Sequence, residues 1–420
     1  MFPKRSMGFG LKIKRGLAAF AVLLMCAVQY GCAAYDNFAS GFMDEASPDG
    51  AFRIGVFEPL TGKDKESGQL ERIGIELAHS LYPDVLGRPI ELIVSDNRSD
   101  IGEARAAAEY LADKGVCIAL GSYRSTLSLA GGEVFSERGI PAISITNANP
   151  LVTNTNEYYF RVRYVEAFQG VAAAKYAAEE LQAGSAAIMR EIDNDYAEAL
   201  CQSFSDKFIS LTGNGEAITH TSDYEAGTAD FAAELNAIKE TGTSVIFVPS
   251  SAEAALEIAR QADALGIGAI FLGTDLWEES EALLKATDSA VLSRMAFSSD
   301  YGQNAEQSEL ATIFTRAYKE KFGSDGEPDH AVALGFDAYM LARDAIERAG
   351  ENAGAGAVRG ALASTKSYPG VSGNITFDEN GDPIKSVSIM RPIDGKFVNI
   401  YTAEPNWGPV PPEGPEEADE

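Results

Sequence analysis

Hydrophobic positions along this chain fall into two spacings that alternate for most of its length. Short apolar runs such as Phe52-Arg-Ile-Gly-Val-Phe57, Pro89-Ile-Glu-Leu-Ile-Val94, Val116-Cys-Ile-Ala-Leu120 and Ile140-Pro-Ala-Ile-Ser144 predict strands. Between them lie stretches with helical spacing: 69–80, then 101–114, where Ala104, Ala108 and Leu111 share one face, then 126–138. Strands that are apolar throughout suit a parallel sheet covered by helices on both faces. The same grammar restarts after Tyr158-Tyr-Phe-Arg-Val162. Helices over 166–182, 194–211, 228–240 and 252–265 there separate strands at 186–189, 216–219, 244–248 and 269–272. Three helices follow (307–321, 330–349 and 356–364), and short strands at 373–377, 386–390 and 396–401 end the pattern. The predicted fold class is α/β, with two doubly wound β/α lobes written in succession.

Both ends of the chain depart from this pattern. Five cations (Lys4, Arg5, Lys12, Lys14, Arg15) precede an apolar run from Gly16 to Val28, and Tyr30-Gly31-Cys32 follows. A basic flank, a short apolar stretch and a small residue before a cut site describe a secretory signal over 1–31. The run is shorter than the ~20 apolar residues that span a bilayer. Cys32 after Gly31 fits lipidation of the new N-terminus, although Gln29 stands where such motifs usually carry an aliphatic residue. The alternative is an ordinary cut nearby that leaves Cys32 a stray thiol. Residues 32–50 are small and polar without periodicity, as a flexible tether would be. From Ala403 onward the chain is rich in Pro and Glu, which predicts a disordered acidic tail over 403–420.

Charge and cysteine usage narrow the function. The formal net charge is −28, and no acid lies in the first thirty-one residues, so the remainder is more acidic still. Such a surface repels nucleic acid and anionic headgroups, which excludes a nucleic-acid binder and leaves the lipid anchor as the only membrane contact. With Cys26 in the signal and Cys32 lipidated, Cys117 and Cys201 remain. They fall in different lobes and are expected to stay unpaired, buried as small hydrophobes.

Several short motifs occur in a fixed order. Pro59-Leu-Thr-Gly62 follows the first strand, and Asp96 in Ser95-Asp-Asn-Arg-Ser-Asp100 precedes a helix. Gly121-Ser-Tyr-Arg-Ser125 precedes another, and Gly139-Ile-Pro-Ala-Ile143 leads to Ala148-Asn-Pro-Leu-Val-Thr153. Asp193-Asn-Asp-Tyr196, Gly273-Thr-Asp275 with Trp277, Tyr318-Lys-Glu-Lys-Phe-Gly323, Gly335-Phe-Asp-Ala-Tyr339 and Phe377-Asp-Glu-Asn-Gly-Asp382 complete the set. In these motifs, over about 51–402, the chain resembles a type I periplasmic binding protein of the family serving branched-chain amino acid ABC transporters. The resemblance implies that the chain crosses between lobes three times. One lobe would comprise 51–161 and 298–368, the other 164–296 and 371–402. Three crossings make a hinge, and ligand binds in the cleft between lobes, which closes on it.

The same resemblance assigns candidate ligand residues. Ser125 sits between a strand end and a helix start, where its hydroxyl and the following N–H groups can donate to a carboxylate; its other reading is a helix N-cap. In the family a serine here holds the ligand carboxylate with a hydroxyl from the next strand's loop, here Thr146-Asn-Ala148. That hydroxyl is usually a threonine where Ala148 stands, which leaves Thr146 or Asn147 to replace it. Asp275 matches the acid that pairs with the ammonium, and otherwise reads as an Asp-capped turn. Tyr196 matches a tyrosine that closes over the ligand, or else packs on its own helix. Tyr123, Arg124 and Ser67 match side-chain pocket positions, with Arg124 alternatively solvated, and Trp277 reads as either pocket wall or core.

Catalytic patterns were sought in the same sequence. There is no Gly-rich dinucleotide fingerprint after the first strand, no phosphate-loop Lys-Ser/Thr pair and no Gly-x-Ser-x-Gly elbow. The three histidines (His79, His220, His330) are scattered and do not combine with the cysteines into a zinc site. The expectation is a monomer without cofactor or metal that is not an enzyme. Its partners would be a small amino acid and an ABC permease with its ATPase subunits. A sensory binding lobe for an amide or other small solute would use the same cleft.

Overall fold

The computed structural model describes residues 50–278, 281–302, 308–323 and 328–405. The expected signal, lipidated Cys32 and tether up to residue 49 lie outside the described residues, as does the tail beyond Pro405.

The chain begins with β1 (Phe52–Glu58), α1 (Lys65–Leu81), β2 (Asp84–Val85), β3 (Arg88–Asp96), α2 (Ile101–Asp113), β4 (Ile118–Gly121), α3 (Ser125–Glu137), β5 (Ala142–Ser144), α4 (Leu151–Asn154) and β6 (Tyr159–Arg161). These strands form one sheet in the order β2-β3-β1-β4-β5-β6, parallel except for the β2–β3 hairpin. Helix α2 shows why the sequence folds so. The Asp100 carboxylate caps it, accepting the N–H groups of Gly102 and Glu103, while Ala104, Ala107, Ala108 and Leu111 form its buried stripe.

After the first crossing come α5 (Ala167–Lys175), β7 (Ala186–Glu191), α6 (Asp195–Thr212), β8 (Ile218–Tyr224), α7 (Ala232–Thr241), β9 (Val245–Phe247), α8 (Ala252–Ala264), β10 (Ile270–Gly273), α9 (Ala282–Lys285), α10 (Ser289–Leu292) and β11 (Met295–Ser299). The chain then returns to the first sheet as α11 (Glu309–Phe322), α12 (His330–Ala349) and α13 (Ala355–Ala363), followed by a small sheet of β12 (Tyr368–Gly370), β13 (Gly373–Phe377) and β14 (Pro383–Ile384). A third crossing delivers β15 (Val387–Ile393) and β16 (Lys396–Ala403), which complete a second sheet in the order β16-β15-β11-β10-β9-β7-β8. Cys117 lies buried in the first core and Cys201 in the second, both as free thiols. Among the described residues no helix is long and apolar enough to cross a membrane.

The third crossing falls later than the family pattern implied. Residues 371–384 were expected in the second lobe, but Val371, Ile375 and Phe377 pack into the first core. Asp337 on α12 holds this segment: its carboxylate accepts the Val371 N–H at 2.6 Å, the Ser372 N–H at 2.8 Å and the Ser372 hydroxyl at 2.6 Å. Each crossing also carries a buried ion. Arg161 at the first pairs with Asp382 at 2.5 Å, and Asp300 at the second lies against Arg163. Lys385 at the third donates to the Ser372 hydroxyl at 2.8 Å.

Candidate functional site

In open parallel sheets, ligands gather beyond the carboxyl ends of the strands. In the first sheet those ends are the β4–α3 and β5–α4 turns. In the second, β10 runs into a one-turn 3₁₀ segment, Asp275–Trp277. Gly121 ends β4 at φ 111°, and a Cβ there would meet the Phe57 carbonyl, so the turn requires glycine.

Ser125 is the first residue of α3 and not its cap. The position before it is Arg124, at φ 71°, and no side chain caps the helix. The Ser125 hydroxyl makes a single long bond, 3.4 Å to Asn147 Oδ1. The neighbouring candidates are committed inward. Asn147 Nδ2 lies 2.7 Å from the Ser122 carbonyl and 2.8 Å from the hydroxyls of Ser128 and Ser144. The Thr146 hydroxyl donates to Glu71. In this structure both side chains are spent on the interior, which leaves Ser125 and the first N–H groups of α3 as candidate donors on this side. Arg124 turns to Asp64 at 2.5 Å, an ion pair on the rim of the first sheet. Tyr123 gives its N–H to Glu58 at 2.9 Å, while Ser67 lies half-buried in the first turn of α1. Among the described residues no hydrogen bond joins the Tyr123 ring or Ser67 to the Ser125 group.

On the second sheet, Tyr196 opens α6 and donates its hydroxyl to Asp275 Oδ1 at 3.0 Å. Burial pushes the phenol up to about 12, so it remains a donor. Gln169 Oε1 accepts the Asp275 N–H at 3.1 Å and the Ser298 hydroxyl at 3.0 Å, which fixes the 3₁₀ turn against α5 and β11. Trp277 is fully buried, with its indole N–H given to the Ser250 carbonyl at 3.0 Å and its ring near Phe297. It is core, not pocket wall.

One side chain that the motifs did not single out joins the two sheets. Arg163, on the first crossing, donates through Nη1 to the Thr146 carbonyl at 2.8 Å and pairs through Nη2 with Asp275. Its Nε lies 3.0 Å from Asp300 Oδ2. Burial opposes the charge of Arg163, but Asp300 and its other neighbours outweigh this and raise its pKa. Beneath the Ser125 side, Glu58 and Glu71 form a second unexpected feature, a fully buried carboxyl pair. Burial, together with the proximity of Glu71, raises Glu58 well above the usual range, and burial moves Glu71 to about 7. The sequence trace of these groups is an acid ending the first strand and the alternation Arg161-Val-Arg163.

Comparison with known proteins places this chain among relatives. The family model described as "Periplasmic binding protein" matches residues 51–396. A Leu/Ile/Val-binding protein homolog of Brucella abortus is 26% identical over 354 residues, covering 82% of this chain and 92% of that one. The crystal structure of a leucine-binding protein from Thermotoga maritima is 32% identical with a TM-score of 0.66, covering 84% of this chain and 99% of that chain. A branched-chain amino acid transporter substrate-binding protein from Streptococcus pneumoniae, solved with isoleucine, is 25% identical with a TM-score of 0.64 over the same shares.

Proposed function

Because the chain belongs to the periplasmic binding protein family, we propose that it is an extracytoplasmic solute-binding lipoprotein of an ABC importer. Its cargo is an amino acid of the branched-chain or aliphatic class, as the names of its relatives support. The observation that carries the reading is the pairing of chemistries across the two sheets: a serine at a helix start held by one long hydrogen bond on one and a buried carboxylate on the other. The Ser125 hydroxyl and the first N–H groups of α3 receive the carboxylate, where the helix dipole favours negative charge. Asp275 receives the ammonium, and Tyr196 positions that carboxylate while covering the ligand. Closure of the hinge presents the liganded form to a membrane permease. Transport energy comes from the partner's ATPase subunits, so this chain needs no cofactor and performs no catalysis. Cys32 carries the anchor.

The test is a thermal-shift panel on protein stripped of ligand by unfolding and refolding, with the twenty amino acids, small amides and short carboxylates. A ligand at 100-fold its Kd stabilises the fold by about 2.7 kcal/mol. The expected result is a shift confined to aliphatic amino acids and lost in Ser125→Ala and Asp275→Ala. A shift with amides alone would move the cargo out of the amino acid class.

A further inference from the structure

The ammonium acceptor of the proposed site is already in contact with a cation of the same chain. Arg163 reaches Asp275 through Nη2, holds the Thr146 carbonyl through Nη1 at 2.8 Å, and lies against Asp300 through Nε at 3.0 Å. The side chains are almost wholly shielded, Arg163 at 11% exposure, Asp275 at 2% and Asp300 at 0%. A guanidinium in this setting is the chemical counterpart of a ligand ammonium: it carries the same charge and donates hydrogen bonds to the same carboxylate.

Two observations show how the contact can be exchanged rather than destroyed. First, among the described residues Asp275 pairs with no cation but Arg163, whereas Asp300 also faces the buried Lys385, so an α-ammonium can take over the charge on Asp275. Second, both oxygens of Asp300 are buried without an aligned hydrogen bond among the described residues, as is Asp275 Oδ2, so Asp300 has room to take the guanidinium when Asp275 is claimed. Stranding a buried charge is strongly unfavourable. Asp300 prevents that cost here, because Arg163 can give up Asp275 and keep both Asp300 and the Thr146 carbonyl.

The geometry points to Arg163 as an internal stand-in for the ligand ammonium, one that occupies Asp275 in the empty protein and yields it to an arriving amino acid. This inference rests on the amino acid reading of the site. Arg163 is then a specificity-setting residue. It taxes every ligand that must claim Asp275, and it leaves untaxed a carboxylate without an ammonium, which docks on the Ser125 side alone. If the stand-in holds Asp275 about nine-tenths of the time, it weakens amino acid binding by about tenfold.

The experiment has a ligand-free arm and a ligand arm. In the first, urea midpoints of the wild-type protein, Arg163→Met, Asp275→Asn and the double variant form a cycle without ligand. In the second, calorimetry compares L-leucine with 4-methylpentanoate, its analogue lacking the amine, on the wild type and on Arg163→Met/Asp300→Asn, which removes the stand-in without changing net charge. The expected results are a non-additive cycle, L-leucine binding about tenfold tighter to the paired variant, and 4-methylpentanoate unchanged. An additive cycle overturns the inference whatever the ligand data show. A coupled cycle with L-leucine weaker or unaltered in the variant overturns the stand-in role and leaves the amino acid reading intact. Should the cycle be coupled while no protein binds any amino acid, both the amino acid reading and the stand-in role fall, and the ion pair is structural.

Discussion

At the scale of single residues, burial decides which polar groups remain available to a ligand. Ser125 stays available because the helix starts on it rather than being capped by it, whereas Thr146 and Asn147 spend their donors on the interior. The Glu58–Glu71 pair marks the cost of that interior. Burial moves Glu71 from its ordinary 4.5 to about 7. The folded protein therefore keeps a proton that the unfolded chain has already lost between these values, and stability falls as pH rises through that window. Melting temperatures measured from pH 4.5 to 8 should decline accordingly, by about 2–4 °C per kcal/mol lost. Glu71→Gln, which cannot ionise, should reduce the decline and leave the part that Glu58 contributes; an unchanged slope would place its source outside Glu71. Sequence motifs singled out Ser125, Asp275 and Tyr196 as candidates because each sits at a strand end or helix start. They could not locate Arg163, since nothing local says which carboxylates fold back onto a guanidinium from more than a hundred residues away.

At the scale of elements, the apolar runs made most of the longer strands and helices legible by period and length, but β11, in the middle of the second sheet, and the short elements β2, β12, β14, α4, α9 and α10 were not read. Boundaries slipped where a turn is shaped by distant groups, as at α1, which begins at Lys65 rather than residue 69. The packing of β12 and β13 was not legible. Their alternating apolar residues fit either core, and the choice is made by the Asp337 carboxylate, whose partners lie more than thirty residues ahead. Helix α12 is apolar on nearly every side and crosses α1 closely. A Cβ at Gly335 would sit 2.2 Å from the Glu71 carbonyl, a backbone atom that cannot swing aside. Gly335→Ala should therefore destabilise by about 1–3 kcal/mol, as overpacking does, measured as a lowered urea midpoint. Because α1 also carries Glu71, the same variant should shift the pH dependence as well.

At the scale of the whole molecule, two sheets joined by three crossings agree with the succession of lobes read from the sequence, although the last crossing moved to Lys385. The proposed signal and lipid anchor give a prediction at this scale. Expressed in its host, the wild-type protein should sediment with membranes and partition into detergent, whereas Cys32→Ser should be released to the soluble exported fraction. Equal partitioning of the two would remove the lipid anchor.

The buried ions at the crossings separate two kinds of electrostatics in one molecule. Exposed pairs such as Arg138–Asp113 and Arg190–Asp223 sit in water, where counterions at 0.15 M mask charges beyond about 8 Å. Arg161–Asp382 and Arg163–Asp300 lie where counterions do not reach. Changing ionic strength should thus alter how this acidic protein meets other surfaces while leaving the proposed opening and closing of its hinge nearly untouched. An extracytoplasmic binding protein built this way can keep one closing equilibrium across dilute and brackish surroundings.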